Sequence, residues 1–585
     1  MGQTGWRRPL GWQSRPERCM SVHRRFTKRH WSCILGGGLL NVALLIQQPS
    51  ALYLASQGRC FASQSCTSVL RYSRHGVRAE RVDKQVIGPF LIRRQAHGTE
   101  YAVASEYDLH RLRANFTPEV ESFLRQALGD ASFDSLCSAL PMPPSYTSLR
   151  VNTLLSTVPD ALKELEASLT EFNARLVSQG REPIRPKLHP TLPDCILLPS
   201  AEPSGLHGHR YPGDLPEVLV DRVCGEAVLK GADVFCMGVH ATSPGLWKQQ
   251  LVAVVADLDD ARPPGRGSDL DEFAGRRKVF LGVGVTEMDR VSIMREPRGL
   301  AVRLTQRVCS DAPPLNGVLS GRCYYQNLPS IVVSHVLDPQ PGEVVADLCS
   351  APGGKTTHIA ALMGGRGLVV ACDNSKKRAA EVAFTVRQQG AGHCILPLFM
   401  DSTKSPLDAD ATEAHSPEDA RKLLLRMVDE VRQSREETDD ESPPRPFTLK
   451  GLPRQSFDRI LLDGPCSALG RRPRLEHACT MKELQNYCSM QRGLLWSAVQ
   501  LLRPGGTLVY STCTVNPLEN EGMVSYALNK YPELQLVAAE PRFGDEGLAG
   551  FGLDDEQRRM VQRFNPASLD TIGFFLAKFV KRAQI

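Results

Sequence analysis

From Gln340 onward, short apolar runs alternate with stretches whose apolar residues recur at helical spacing, which predicts strands separated by helices and a parallel sheet with crossover connections. The expected strands are 344–348, 368–372, 395–400, 457–462 and 507–511. Between them, a helix over 355–363 stops at Gly364-Gly365, and one over 375–389 carries Ala379, Val382, Ala383 and Val386 on one face before Gly390. A third, 481–502, ends before Pro504-Gly505-Gly506. The series is interrupted at 402–456, where an acidic run from Glu436 to Glu441 precedes Pro443-Pro444. Such a composition cannot bury a core, so a solvated insertion carrying one helix is expected there.

The N-terminal half has a different texture. Residues 117–212 mix helical spacing (Val120, Phe123, Leu124, Ala127, Leu128) with a strand-like run at 148–152, the pattern of a small α/β unit. Residues 219–307 read as a compact β unit with strands at 233–236, 251–255 and 278–283, and a polar, Gly- and Pro-rich exposed loop at 257–277. Before Glu80 the only acidic residue is Glu17, and a basic run at Arg24–Arg29 precedes an apolar stretch, 31–46. This is the pattern of a signal anchor or of a leader followed by an Arg- and Ser-rich transit segment, although the stretch is short and Gly-broken for a membrane span. The alternative is a disordered extension, or a start at Met20. Residues 1–100 are therefore set apart from the fold.

Composition narrows the function classes only slightly. A length of 585 residues implies several structural units, and a net charge of +6 permits a polyanionic partner without requiring one. The 17 cysteines include no C-x-x-C pair. That spacing argues against zinc ribbons and thioredoxin-type redox motifs, and the cysteine density is too low for a secreted disulfide scaffold. A reduced intracellular compartment is expected, cytoplasmic by default, with organelle targeting through the extension as the alternative.

The chemistry gathers at the predicted strand ends. The first strand runs into Cys349-Ser350-Ala351-Pro352-Gly353-Gly354-Lys355, where paired glycines at a strand-to-helix turn let a ligand approach the backbone. Asp373 and Asp401 close the second and third strands, and sheet-edge acids suit a nucleoside with a cationic centre better than a triphosphate. Gly354-Lys355-Thr356 is the tail of a P-loop, but that motif needs glycine where Cys349 stands. A tight turn without a ligand is the bland alternative. The fourth strand ends in Asp463-Gly464-Pro465-Cys466 and the fifth in Ser511-Thr512-Cys513. Adjacent parallel strands would bring both cysteines to one edge, where a thiolate is a usable nucleophile.

These motifs, Asp347 to Thr356, Leu462 to Ser467 with Arg472-Pro473, and Ser511 to Thr514 followed by Glu519-Asn520-Glu521, resemble the Sun-domain RNA 5-methylcytosine methyltransferases over about 323–580. The chain departs from the family pattern at Ser350, Gly464 and Ala468. The run Gly225–Val234 looks like the opening of a PUA domain, so the resemblance is to members with a PUA domain in the N-terminal half, which act near the acceptor end of tRNA.

The resemblance implies an α/β, Rossmann-like S-adenosylmethionine methyltransferase domain, a small N-terminal α/β unit and an inserted PUA-like domain. It implies S-adenosyl-L-methionine as cofactor against Cys349–Lys355, with Asp373 on its ribose, Asp401 near its adenine and Asp463 beside it. Cys513 would attack cytosine C6, Cys466 would assist loss of the C5 proton, Asp463 would hold the base and Lys355 would organise Asp463. The residues alone leave the two cysteines interchangeable, since DNA cytosine methyltransferases use a Pro-Cys nucleophile. RNA is the expected partner, tRNA foremost, with Lys248 and Arg290 as candidate backbone contacts. Neither a metal nor a membrane partner is expected, and the oligomeric state is open. The competing classes are a non-catalytic RNA-binding protein that has kept the fold, and a DNA or protein methyltransferase.

Overall fold

The computed structural model describes residues 112–583 apart from 202–212, 260–265, 310–311, 314, 316, 408–413 and 437–444, together with two strands nearer the N-terminus. Those two, Ser68–Ser73 and Gly76–Arg81, form an antiparallel hairpin within a separate unit, Met1–Glu100. The basic run and apolar stretch read as a targeting signal lie outside the described residues.

The second unit is organised around an eight-stranded sheet. Its strands lie in the order Ile395–Phe399, Leu368–Asp373, Val344–Asp347, Phe457–Asp463, Leu502–Thr512, Phe574–Lys581 and Leu534–Val537, with Gln562–Phe564 also paired to Phe574–Lys581. The first five are mutually parallel, and Phe574–Lys581 runs antiparallel to its neighbours. Leu368–Asp373 is buried along its whole length because helices cover both faces of the sheet, which is why the strands read as continuous apolar runs. The helix Lys376–Gln388 starts where Ser375 accepts from the Arg378 N–H, and Met481–Leu501 starts with a reciprocal Thr480/Glu483 capping box. The fifth strand begins at Leu502, before Pro504-Gly505-Gly506 rather than after it.

The helix of the segment expected to be a solvated insertion packs onto this core. Helix Pro417–Glu436 fully buries Leu424 and nearly buries Val428 in the same cluster as Leu396 and Leu398. Arg421 on the same helix pairs with Asp458 and donates to the Gly342 carbonyl at 2.7 Å. The acidic run that dominated the composition misled the reading of the amphipathic helix before it.

Two further sheets pack onto this framework. Tyr146–Val151, Cys195–Pro199 and Lys187–Leu188 are joined by Cys323–Tyr325, so the small N-terminal sheet is completed by a strand from beyond the β unit. The β unit itself is a six-stranded sheet of Glu217–Val220, Val234–Phe235, Val239–Thr242, Leu251–Asp257, Lys278–Thr286 and Leu300–Arg307. Its 257–277 connection is not simply exposed, since Phe273 is fully buried and Arg276 pairs with Asp257 at 2.9 Å. Glu226 anchors the unit to the catalytic half by accepting from Arg474 (2.9 Å) and the Leu475 N–H (3.1 Å).

The N-terminal unit grips the helix Gly354–Leu362 with polar groups. Fully buried Arg150 donates to Thr357 Oγ1 (3.0 Å) and Gln326 Oε1 (3.1 Å), and burial pushes its pKa down to about 10. Asp194 lies 2.8 Å from His335 Nε2 and 2.7 Å from His358 Nε2, and burial lowers the His358 pKa to about 4 despite the facing carboxylate. The three ligand atoms lie within 4.8 Å of one another, and both imidazoles share the Asp194 carboxylate.

If Pro417–Glu436 belongs to the core, Leu424→Ala should destabilise the protein by about 2–4 kcal/mol, the range for a leucine truncated in a packed interior. Urea denaturation measures this, and a change under about 0.5 kcal/mol would return the helix to the status of a surface insertion.

Candidate active site

The order of the sheet reverses between Val344–Asp347 and Phe457–Asp463, and a crevice at such a switch point opens at the carboxyl ends of the strands. From Asp347 the chain enters the glycine-bearing turn. Ser350 donates through both its N–H (2.9 Å) and its hydroxyl (3.0 Å) to the Cys372 carbonyl, which fixes the turn to the neighbouring strand. Gly353 has φ +102°, and a Cβ on Gly354 would come within 2.7 Å of the Tyr324 ring, so both glycines are required by the backbone path and the packing. Beneath them Thr356 Oγ1 donates to Asp347 at 2.7 Å, and burial pushes the Asp347 carboxyl up to about 7.

A cavity of about 240 Å³ opens at this edge, lined in part by Cys349, Asp373, Asn374, Asp401, Pro465 and Met490. Asp373 is almost fully buried and is held by the Ser375 N–H (3.0 Å) and Arg378 (3.0 Å). Asp401 is exposed and accepts from the Thr403 N–H (3.1 Å) and hydroxyl (2.7 Å). Cys349 is a half-buried thiol whose pKa burial drives well upward, so it lines the cavity as a small apolar group. Ser350, Ala351, Pro352, Gly353 and Gly354 shape the turn but are not part of that lining, and neither are Lys355 and Asp463.

Next to the cavity stands a second cluster. Lys355 Nζ lies 2.6 Å from Asp463 Oδ2 and 5.6 Å from the centre of the Phe574 ring, and the Ser511 hydroxyl donates to Asp463 Oδ1 at 2.6 Å. Burial alone would lower the Lys355 pKa, but the Asp463 charge and hydrogen bond outweigh it and hold the ammonium above its ordinary value. Cys466 and Cys513 face each other with their sulfurs 3.4 Å apart, both half-buried. The hydrogen bond from Cys466 lowers the Cys513 pKa against the opposing effect of burial, with Lys355 and Arg471 adding to the lowering. Cys466 moves the other way, raised by its bond to Cys513, by burial and by the nearby Glu519 charge. The pair can therefore hold one thiolate, favoured at Cys513, beside one thiol.

Cys349, Asp373 and Asp401 thus meet at the cavity, while Lys355, Asp463, Cys466 and Cys513 meet beside it. Pro465, in the cavity lining, joins the two. Of the RNA-contact candidates, Lys248 is exposed next to exposed Trp247, whereas Arg290 is tied to Asp269 at 3.1 Å. Sequence reading did not single out Ser511 or Glu519 beyond quoting them in motifs, and missed Tyr324, Arg378, Met490, Gln491 and Phe574. These residues come from helices and strands remote in sequence, and only Met490 with Leu494 left a trace, as an i,i+4 apolar pair.

A Rossmann-like sheet with a cleft at its switch point, lined by Asp373 and Asp401 at the strand ends, is an arrangement that S-adenosylmethionine-dependent methyltransferases share with other nucleoside-binding α/β proteins. Related proteins agree. The family model for 16S rRNA methyltransferase RsmB/F matches residues 334–412 and 432–580, leaving out only 413–431 within the segment 402–456. Human tRNA (cytosine(72)-C(5))-methyltransferase NSUN6 is 37% identical over 513 residues, covering 80% of this chain and 98% of that protein. The rRNA (cytosine-C(5))-methyltransferase NOP2C of Arabidopsis thaliana is 36% identical over 544 residues, covering 79% and 90%. The crystal structure of NSun6 from Pyrococcus horikoshii with SFG, an S-adenosylmethionine analogue, matches with a TM-score of 0.60 at 27% identity, over 80% of this chain and 99% of that one. The chain belongs to the RsmB/F, or Sun-domain, family of S-adenosylmethionine-dependent RNA cytosine-C5 methyltransferases.

The opposite displacement of the two thiols is open to measurement. Alkylation with iodoacetamide followed by peptide mass spectrometry should give a pH midpoint for Cys513 below that of an ordinary thiol, and for Cys466 above it. In Cys466→Ala the Cys513 midpoint should rise, because its principal stabilising hydrogen bond is gone. A midpoint that stayed put would mean that the neighbouring thiol has no part in activating it.

Proposed function

We propose that this protein methylates carbon 5 of a cytosine in tRNA, with Cys513 as the nucleophile and Cys466 as the group that handles the departing proton. The observation that carries the reading is the meeting of Cys466 and Cys513 at 3.4 Å beside the Lys355–Asp463 pair and the cleft at the strand ends. Carbon 5 of cytosine is a poor nucleophile. Addition of the Cys513 thiolate to carbon 6 forms an S–C6 bond and makes carbon 5 enamine-like. Asp463 accepts from the protonated N3 and the exocyclic amine, and Lys355 and Ser511 keep its carboxylate oriented. S-adenosylmethionine, when bound, supplies the electrophilic methyl group. The cleft suits it because buried Asp373 offers a carboxylate to ribose hydroxyls and Asp401 stands at the neighbouring strand end. Cys466, deprotonated once Cys513 is bound to the base, then takes the C5 proton; the C5–H pair re-forms the C5=C6 double bond as the S–C6 pair leaves with Cys513, and the base is released. The target must be unpaired or flipped from its stack, since a paired base hides carbon 6.

The β unit Glu217–Arg307 serves in this reading as a PUA-like RNA-binding module, with Trp247 and Lys248 supplying a stacking surface and a phosphate contact. Transfer RNA is supported by the likeness to NSUN6, which spans 80% of this chain and 98% of that protein. Ribosomal RNA is the second reading, favoured by the similar identity to NOP2C. Bisulfite sequencing of RNA from cells lacking the protein separates them, because the unmethylated cytosine will lie in one RNA class or the other.

Roles of the cysteines are tested by adduct formation. Cys513→Ala should yield neither product nor a covalent RNA adduct. Cys466→Ala should accumulate an RNA-linked protein that survives denaturing electrophoresis, because the bond forms and release stalls. The reverse pattern would exchange the two roles.

A further inference from the structure

One carboxylate next to the cysteines has no part in the chemistry above and is fully buried. Glu519 accepts from four donors at once: Ser467 N–H (3.0 Å) and Gln491 Nε2 (2.9 Å) at Oε2, and Asn516 Nδ2 (2.8 Å) and the Ser467 hydroxyl at Oε1. These donors come from three separate places. Ser467 follows Cys466, Asn516 lies three residues beyond Cys513, and Gln491 is in the middle of helix Met481–Leu501. Gln491 Nε2 also donates to the Pro465 carbonyl at 2.9 Å, on the other side of Cys466. The Tyr510 hydroxyl, 2.6 Å from the Glu519 carbonyl and 3.1 Å from Gln491 Oε1, braces the arrangement from the strand below. Ser467 and Thr514 hydroxyls meet at 2.8 Å and link the two cysteine loops directly.

We propose that Glu519 is a positioning residue for the proton-handling cysteine, its carboxylate gathering the residues flanking Cys466 and Cys513 so that the two sulfurs stand in contact. An ionised carboxylate is an acceptor only, with about four lone-pair sites, and all four are met here by donors. A side-chain amide cannot substitute, because its NH2 would face the Ser467, Gln491 or Asn516 donors. The charge acts on the same pair: burial raises the Glu519 pKa against the four donors, and the Glu519 charge helps to hold Cys466 in its thiol form. Glu519 touches neither base nor cofactor in this scheme. The inference rests on Cys466 being the proton-handling group.

The test is Glu519→Gln in the full-length protein, with Ser467→Ala as a milder variant that removes one donor, and Cys466→Ala as the reference. Glu519→Gln should lower kcat about 100-fold, the order expected when a reacting group shifts by about an ångström, with S-adenosylmethionine affinity within about twofold of the parent. It should also accumulate the denaturation-resistant RNA adduct, and the alkylation midpoint of Cys466 should fall. Ser467→Ala should show the same signature more weakly, and it alone decides the matter if Glu519→Gln does not fold. Parental turnover without adduct, or a loss of adduct together with weakened cofactor binding, would overturn the proposal. A Cys466→Ala reference that forms no adduct would instead reject the cysteine assignment, and the inference about Glu519 with it.

Discussion

The ion pair between Lys355 and Asp463 spans the line along which the sheet reverses its order. Lys355 enters from the helix after Val344–Asp347, and Asp463 ends the adjacent strand, so a 2.6 Å contact between them ties the two elements together beside the cavity. In a half-buried place each charge is costly alone and tolerable together, so the pair holds Asp463 in one orientation while its second oxygen is held by Ser511. Cysteine loops on one side and the glycine turn on the other are then arranged around a fixed carboxylate. The cavity and the thiol pair become neighbours for the same reason.

Holding that line requires more than the catalytic domain. The helix that presents Lys355 is gripped from the N-terminal unit by Arg150 at Thr357 and by Asp194 at His358, and Tyr324 packs against Gly354 where any side chain would collide. Each contact is a buried polar or close steric one, which tolerates little displacement. The small α/β unit is therefore a scaffold for the glycine turn, and its completion by Cys323–Tyr325 makes the two inseparable in sequence order. On the far side, Glu226 gives the β unit a fixed seat beside Leu475.

Much of the catalytic half was legible because its elements carry strong local signals. Strands covered on both faces must be apolar along their whole length, and the helices between them announce their stops with glycine and proline. The misreadings also have physical causes. In 402–456 a charged, proline-rich tract outweighs an amphipathic helix, so the segment reads as a solvated insertion although Leu424 and Val428 on that helix join the core. In 257–277 glycine and proline concealed the buried Phe273. Neither error could be seen by counting residues, since burial depends on what lies opposite.

The sequence by itself determined the order of strands and helices, the glycine turn and the pairing of a Pro-Cys with a Thr-Cys motif at two strand ends, because these depend on local propensity and residue type. The tertiary structure decided which of those residues meet. It alone set the two sulfurs 3.4 Å apart, gave Asp463 to Lys355 and Ser511, and gathered Ser467, Gln491 and Asn516 on the Glu519 carboxylate. Such contacts join residues far apart in the chain, and their geometry follows from strand register and helix packing, which no short stretch of sequence contains.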